Sequence, residues 1–199
     1  MSRTTRYKLG FLAAVCVAAA LAFLLVWSVD LDLSIATVFT ALILLVPGRV
    51  QGVFYRELFK GRILLEQRRE QEALDHFRNF LRDVRARPWL KRLIWLSWSV
   101  YTPNVEAMAL NNIGAANLAL GRLGESEGAL GEALTLDEKY PLPHFNLAVL
   151  QEMRGNRMLA EAELEAAAKL GYVGGTVDTI VNHAQALLAR AEGRGVKAT

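Results

Sequence analysis

Apolar residues in the first quarter of the chain form two long runs with a short acidic gap between them. Residues 9–29 and residues 33–48 contain no charged side chain. A helix rises about 1.5 Å per residue, so the first run spans the roughly 30 Å hydrocarbon core of a bilayer and the second falls short. The pattern predicts a transmembrane hairpin over residues 1–48, with Pro47-Gly48 as a helix end or kink. A re-entrant or interfacial second segment is the alternative.

Charged residues flank these runs with a consistent sign. Arg3, Arg6 and Lys8 precede the first run, and Asp30 and Asp32 lie between the runs. More basic residues follow the second run. Because basic segments stay on the cytoplasmic side of a membrane, this arrangement predicts both termini in the cytoplasm. Arginine outnumbers lysine, which favours a bacterial chain and hence a bacterial inner membrane as its location.

The rest of the chain has the apolar periodicity of helices, and two stretches repeat at an offset of 34 residues. Residues 110–121 read LNNIGAANLALG and residues 144–155 read HFNLAVLQEMRG. Small residues allow two helices to approach closely, and glycine after a helix permits a tight turn. The aligned positions include Gly114 with Ala148, Gly121 with Gly155, and Leu130 with Leu164.

This spacing resembles the tetratricopeptide repeat family, whose unit is two antiparallel helices in about 34 residues. The resemblance implies an all-α protein in which an α-solenoid of about three helix pairs follows the hairpin. Lys60, Arg68 and Ser126 depart from the family pattern. The implied units are a degenerate pair at 49–87, pairs at 107–140 and 141–172, and a capping helix and tail at 173–199. In the capping helix, the apolar face is Ile180, Ala184, Leu187, Leu188 and Ala191.

In that family, the first helix of each pair lines a concave groove that receives a peptide or a helix. Carried over to this chain, the groove is mostly apolar and includes methionines, which adapt to varied partners. The resemblance therefore implies an apolar peptide or amphipathic helix as ligand. Cover by the terminal helix or by the first pair is the alternative. The implied groove residues are Met108, Asn111, Asn112, Ala115, Leu118, Leu142, Phe145, Asn146, Val149 and Met153.

An insertion at residues 88–106 separates the first and second repeats and holds three of the four tryptophans. As a helix, it has a wide apolar face and a small basic edge. Tryptophan beside basic residues is typical of a membrane interface, but packing within the protein and docking onto another subunit are alternatives. The residues predicted to contact lipid or a subunit are Trp89, Lys91, Arg92, Ile94, Trp95, Trp98 and Tyr101.

The sequence contains no catalytic motif, phosphate loop, dinucleotide fingerprint or metal-ligand spacing. We therefore expect no enzyme activity, cofactor, metal, nucleic acid or small-molecule substrate. The sequence predicts a membrane-anchored scaffold that binds other proteins at the cytoplasmic face, with membrane lipid as a second partner. A permanent subunit of a larger membrane complex and a lipid-interface protein are the alternatives.

Overall fold

The computed structural model describes residues 3–28, 33–96, 101–193 and 195, and every regular element in these ranges is helical. The all-α class predicted from the sequence is therefore confirmed. The helices are α1 (Arg3–Ser28), α2 (Leu33–Phe54), α3 (Arg56–Glu66), α4 (Glu70–Ala86), α5 (Val105–Ala119), α6 (Leu123–Leu136), α7 (Pro141–Met153), α8 (Arg157–Lys169) and α9 (Val177–Gly193). A 3₁₀ helix, Pro88–Leu96, follows α4 and is called the 3₁₀ segment.

The predicted transmembrane hairpin is wrong, because none of the helices in the described ranges combines the length and apolar character needed to cross a membrane. The same finding overturns the predicted location, a bacterial inner membrane crossed twice with both termini in the cytoplasm. α1 begins at Arg3, so the predicted first span belongs to a helix that also carries Arg3, Arg6 and Lys8. Asp30 and Asp32, predicted to lie in the turn, are outside the described residues.

The second predicted span is the first part of a longer helix that leads into the repeats. α2 continues through Pro47, takes in Arg49 and ends at Phe54. Only Tyr55 separates α2 from α3, and its backbone N–H donates to the Gln51 carbonyl at 2.8 Å. The apolar run at 33–48 is therefore continuous with the last six residues of α2, and the helix packs with α3 and the 3₁₀ segment.

Six helices, α3 to α8, form three pairs in which each helix packs against the one that follows it. The pairs are α3 with α4, α5 with α6, and α7 with α8. The second helix of a pair also contacts the first helix of the next pair, α4 with α5 and α6 with α7. The pairs therefore stack in chain order, and the 3₁₀ segment lies against α4 and α5 where the first pair meets the second.

A small residue facing a large one sets the separation of the helices within a pair. A Cβ built on Gly61 would lie 2.5 Å from a ring carbon of Phe77, and one on Gly114 would lie 2.6 Å from Leu130. Phe77 and Leu130 are fully buried. Ser126, where the family has alanine, is also buried, and its hydroxyl donates to the Gly114 carbonyl at 2.8 Å. The departure at Ser126 thus adds a hydrogen bond within the second pair.

The turn within each pair uses a left-handed residue at the same place. Gly121 and Gly155 both have φ of 77°, as the tight turns predicted at these glycines require. Arg68 holds the equivalent place in the first pair and has φ of 61°. A non-glycine residue in this region is uncommon. The first pair therefore keeps the turn geometry although its sequence departs from the pattern.

A histidine–glutamate contact links the two helices of the first and third pairs. His76 Nδ1 lies 2.7 Å from a Glu57 carboxylate oxygen, and His144 Nδ1 lies 2.7 Å from a Glu163 oxygen. The hydrogen bond with His76 holds the pKa of the Glu57 carboxyl below its usual value. The acid lies on the first helix in one pair and on the second helix in the other. In the second pair, Leu110 takes the place that Glu57 and His144 hold on the first helices of their pairs.

We expect Gly114→Ala to lower the free energy of unfolding by about 1–3 kcal/mol, because the added methyl group overlaps Leu130. The matched control is Gly128→Ala on α6, where a Cβ meets no atom within 4 Å. That change should raise the free energy of unfolding by about 0.5–1 kcal/mol, since alanine favours helix over glycine. Urea denaturation measures both. Equal stability of the two variants would show that this contact does not set the helix separation.

Candidate protein-binding groove

The first helices of the three pairs lie side by side, with α3 in contact with α5 and α5 in contact with α7. All ten residues that the resemblance assigns to a groove lie on α5 or α7. Half of them are buried and half are partly exposed, so much of this face is covered. The buried residues are Asn111, Leu118, Phe145, Val149 and Met153; the partly exposed ones are Met108, Asn112, Ala115, Leu142 and Asn146.

Part of this cover is α9, the last helix of the described chain. α9 packs along α7 and reaches α5. The sequence predicts a capping helix over the last exposed core and leaves open that the terminal helix covers the groove; in the structure, α9 lies against the first helices α7 and α5. Its buried residues form one stripe at helical spacing, here called the α9 stripe: Ile180, Ala184, Leu187 and Ala191. The same apolar cluster contains the groove residues Leu118, Phe145, Val149 and Met153.

A row of four aromatic rings crosses the end of the groove where α9 begins. Ring centroids are 6.2 Å apart for Tyr101 and Tyr172, 4.9 Å for Tyr172 and Phe145, and 6.4 Å for Phe145 and His183. Burial raises the pKa of Tyr172; burial, and then Arg190, lower the pKa of His183. The row joins the end of the insertion to α7 and α9. Sequence analysis missed Tyr172 and His183, because contacts between distant rings leave no periodic signal.

Amide side chains mark the part of the groove that lies between α5 and α7. Asn146 Nδ2 donates to Asn111 Oδ1 at 2.9 Å. Asn111 is 4% exposed, whereas Asn146 remains partly exposed. An asparagine amide carries two N–H donors and a carbonyl acceptor, so one bond leaves Asn146 with further hydrogen-bonding capacity. This part of the groove therefore combines apolar side chains with amide groups suited to a peptide.

The 3₁₀ segment at the start of the insertion has an apolar side that faces the protein. Leu90 and Ile94 are 1% and 2% exposed and belong to the main core. The Tyr55 hydroxyl donates to the Leu90 carbonyl at 2.8 Å, and the Gln51 side chain donates to the Leu93 carbonyl at 3.3 Å. Packing within the protein, one of the three interpretations left open, accounts for these residues. Ile94, predicted to meet lipid or a subunit, lies in the core.

The other side of the 3₁₀ segment faces outward. Trp89 is 46% exposed and meets Phe54 edge-on, with ring centroids 4.9 Å apart. Arg92 is exposed. The side chain of Trp95 and the whole of Trp98 lie outside what the structure describes. The predicted contact with lipid or a subunit therefore rests on an outer edge formed by Trp89 and Arg92.

Charged side chains fasten the 3₁₀ segment to the second pair. Lys91 forms an ion pair with Glu106 of α5, and Arg85 of α4 lies 3.3 Å from the same carboxylate. Arg85 also reaches Glu132 of α6 at 2.5 Å. The hydrogen bonds from Lys91, and then Arg85, hold the pKa of Glu106 below its usual value. Lys91, predicted to contact lipid or a subunit, is therefore engaged within the chain.

Comparison with protein-family models, curated proteins and solved structures gave no match. The kind of ligand that the groove could bind is therefore inferred from the groove residues alone. In the described ranges, no group of three or more His, Cys, Asp or Glu side chains could hold a metal ion. His76 and His144 pair with glutamates, and His183 lies against Phe145. The candidate site is thus an apolar groove with amide groups between α5 and α7.

We expect Tyr55→Phe to lower the free energy of unfolding by about 1–2 kcal/mol, because it leaves the buried Leu90 carbonyl without its hydroxyl donor. The matched control is Tyr172→Phe, which removes a half-buried hydroxyl elsewhere and should have a smaller effect. Chemical denaturation of the full chain measures both variants. If Tyr55→Phe is as stable as the parent, the hydroxyl does not hold the 3₁₀ segment in place.

Proposed function

We propose that this chain is a protein-interaction scaffold built of tetratricopeptide-like helix pairs, whose groove receives an amphipathic helix or apolar peptide of another protein. One observation carries the proposal. The groove side of α7 and α5 already receives an amphipathic helix, α9. A surface that buries a helical stripe of this chain has the shape and apolar character to bury a similar stripe of a partner.

The repeated geometry of the three pairs supports the same proposal. Left-handed turns recur at residues 68, 121 and 155, and a small residue faces a large one in the first two pairs. These features stack the first helices side by side and leave Met108, Ala115 and Leu142 partly exposed along them. Partly exposed apolar residues beside asparagine amides suit a ligand with an apolar face and a polar backbone.

A library of helical peptides displayed on phage and selected against the full chain tests the proposal. We expect the enriched peptides to carry aliphatic or small residues at helical spacing on one face. Their affinity should fall at least tenfold for Ala115→Glu, which puts a charge in the open part of the groove. The matched control is Ala162→Glu on the exposed side of α8, which should bind as the parent does.

The comparison of the two variants decides the outcome. Thermal denaturation first establishes that both variants are folded. Equal binding by Ala115→Glu and Ala162→Glu would place the peptides outside the groove and overturn the proposal. Enrichment of peptides without an apolar face would overturn the proposed class of ligand.

A permanent subunit of a larger protein assembly is the second candidate, and a different observation favours it. Large apolar side chains are strongly exposed on the first two helices, which is typical of surfaces that meet another protein. A permanent subunit should keep its partners at fixed stoichiometry through purification at high salt, as native mass spectrometry would show; a chain purified alone would contradict this candidate. The exposed residues include Leu21, Leu24, Trp27 and Val38.

A further inference from the structure

The last helix does not take the place that a further repeat would occupy. Of the helices that precede it in the chain, α5 packs mainly on α4, and α7 packs mainly on α6. By that rule the helix after α8 would cover α8. Instead α9 packs mainly on α7 and reaches α5, and Met158 and Leu159 of α8 remain 85% and 54% exposed. α9 therefore lies over part of the groove and leaves these apolar side chains of α8 exposed.

The connection between α8 and α9 is short, and three of its seven residues are glycine. Residues 170–176 join the two helices without regular structure, and Val173 within them is 94% exposed. Gly171 has φ of 95°, which favours glycine. A Cβ on Gly175 would lie 2.8 Å from Leu164 and 3.2 Å from Phe145. The space at Gly175 is therefore too small for most side chains.

The contact between α9 and the groove is an apolar stripe along one side of the helix. Large and small residues alternate along this stripe, and all four are at most 3% exposed. The rest of α9 faces solvent at most positions, for example at Gln185 and Ala186. Another helix with a similar stripe could compete for a surface that holds α9 by one apolar stripe.

We propose that α9 is an internal, displaceable ligand of the groove, and that the partner is an amphipathic helix of another protein with a similar large–small stripe. This inference rests on the proposed function. A tethered helix has an effective concentration in the millimolar range for a short flexible link. The apparent affinity of a partner is reduced by the fraction of chains whose groove is open. α9 therefore makes the groove selective for helices that bind it at least as tightly as the α9 stripe does.

A fluorescent peptide of residues 176–193, added to the full chain, tests this inference by anisotropy. Leu187→Asp in the chain puts a charge into the α9 stripe and should release α9. We expect this variant to bind the peptide at least tenfold more tightly than the parent. The matched control is Gln185→Asp, which adds the same charge on the exposed side of α9 and should bind as weakly as the parent. Hydrogen exchange of the α9 amides reports its release.

A second variant leaves the α9 stripe and the groove residues unchanged. Gly175→Val places a branched side chain where Leu164 and Phe145 leave no room, so it should also release α9 and raise peptide affinity. Its control is Gly193→Val, where a Cβ meets no atom within 4 Å. This variant gives the result even if Leu187→Asp does not fold, which circular dichroism would reveal.

The outcomes separate the inference from the function on which it rests. If the parent and the released variants bind the peptide with equal affinity, the groove accepts a helix but α9 does not compete, and the inference fails alone. If exchange shows that α9 is released and the folded variants still do not bind the peptide, the groove does not accept this helix, and the proposed function fails as well.

Discussion

The close approach of the two helices within each pair is the constraint on which the rest of the molecule depends. A large side chain fills the space that a facing small residue leaves, so the helix axes keep one separation. Pairs with one separation stack regularly, and regular stacking brings α3, α5 and α7 side by side. The residues concerned are Gly61 with Phe77, Gly114 with Leu130, and, in the equivalent places, Ala148 with Leu164.

The repeat could be predicted from the sequence because its signals are local. Glycine at 121 and 155 predicts a tight turn, and both residues adopt the left-handed conformation that such a turn requires. Arg68 shows the limit of that reasoning. A left-handed conformation costs a non-glycine residue roughly 1–2 kcal/mol, yet the first pair imposes it. Phe77 still packs on Gly61 in this pair, so the pair keeps its geometry without a turn glycine.

Apolar periodicity identifies the buried face of a helix but not the surface that buries it. The four residues of the α9 stripe were predictable from their spacing, whereas the sequence left open which helices they cover. The insertion shows the same limit: its apolar side is buried, but the anchors are Tyr55 and Gln51, 35 and 42 residues away in the chain.

The asparagine amides between α5 and α7 determine which polar contacts a partner must make. A partner helix with only the α9 stripe would make the same contacts with the groove as α9. Because α9 is tethered, it would have the higher effective concentration and would win the competition. A successful partner therefore gains from contacts that α9 does not make. The partly exposed amide of Asn146, which is already oriented by its bond to Asn111, provides such a contact. A bound helix would bury this amide, and leaving it without a hydrogen-bond partner would be costly. A hydrogen bond to Asn146 therefore discriminates between helices that bury equal apolar area. On this argument the apolar stripe provides the affinity, and the asparagine pair provides the specificity.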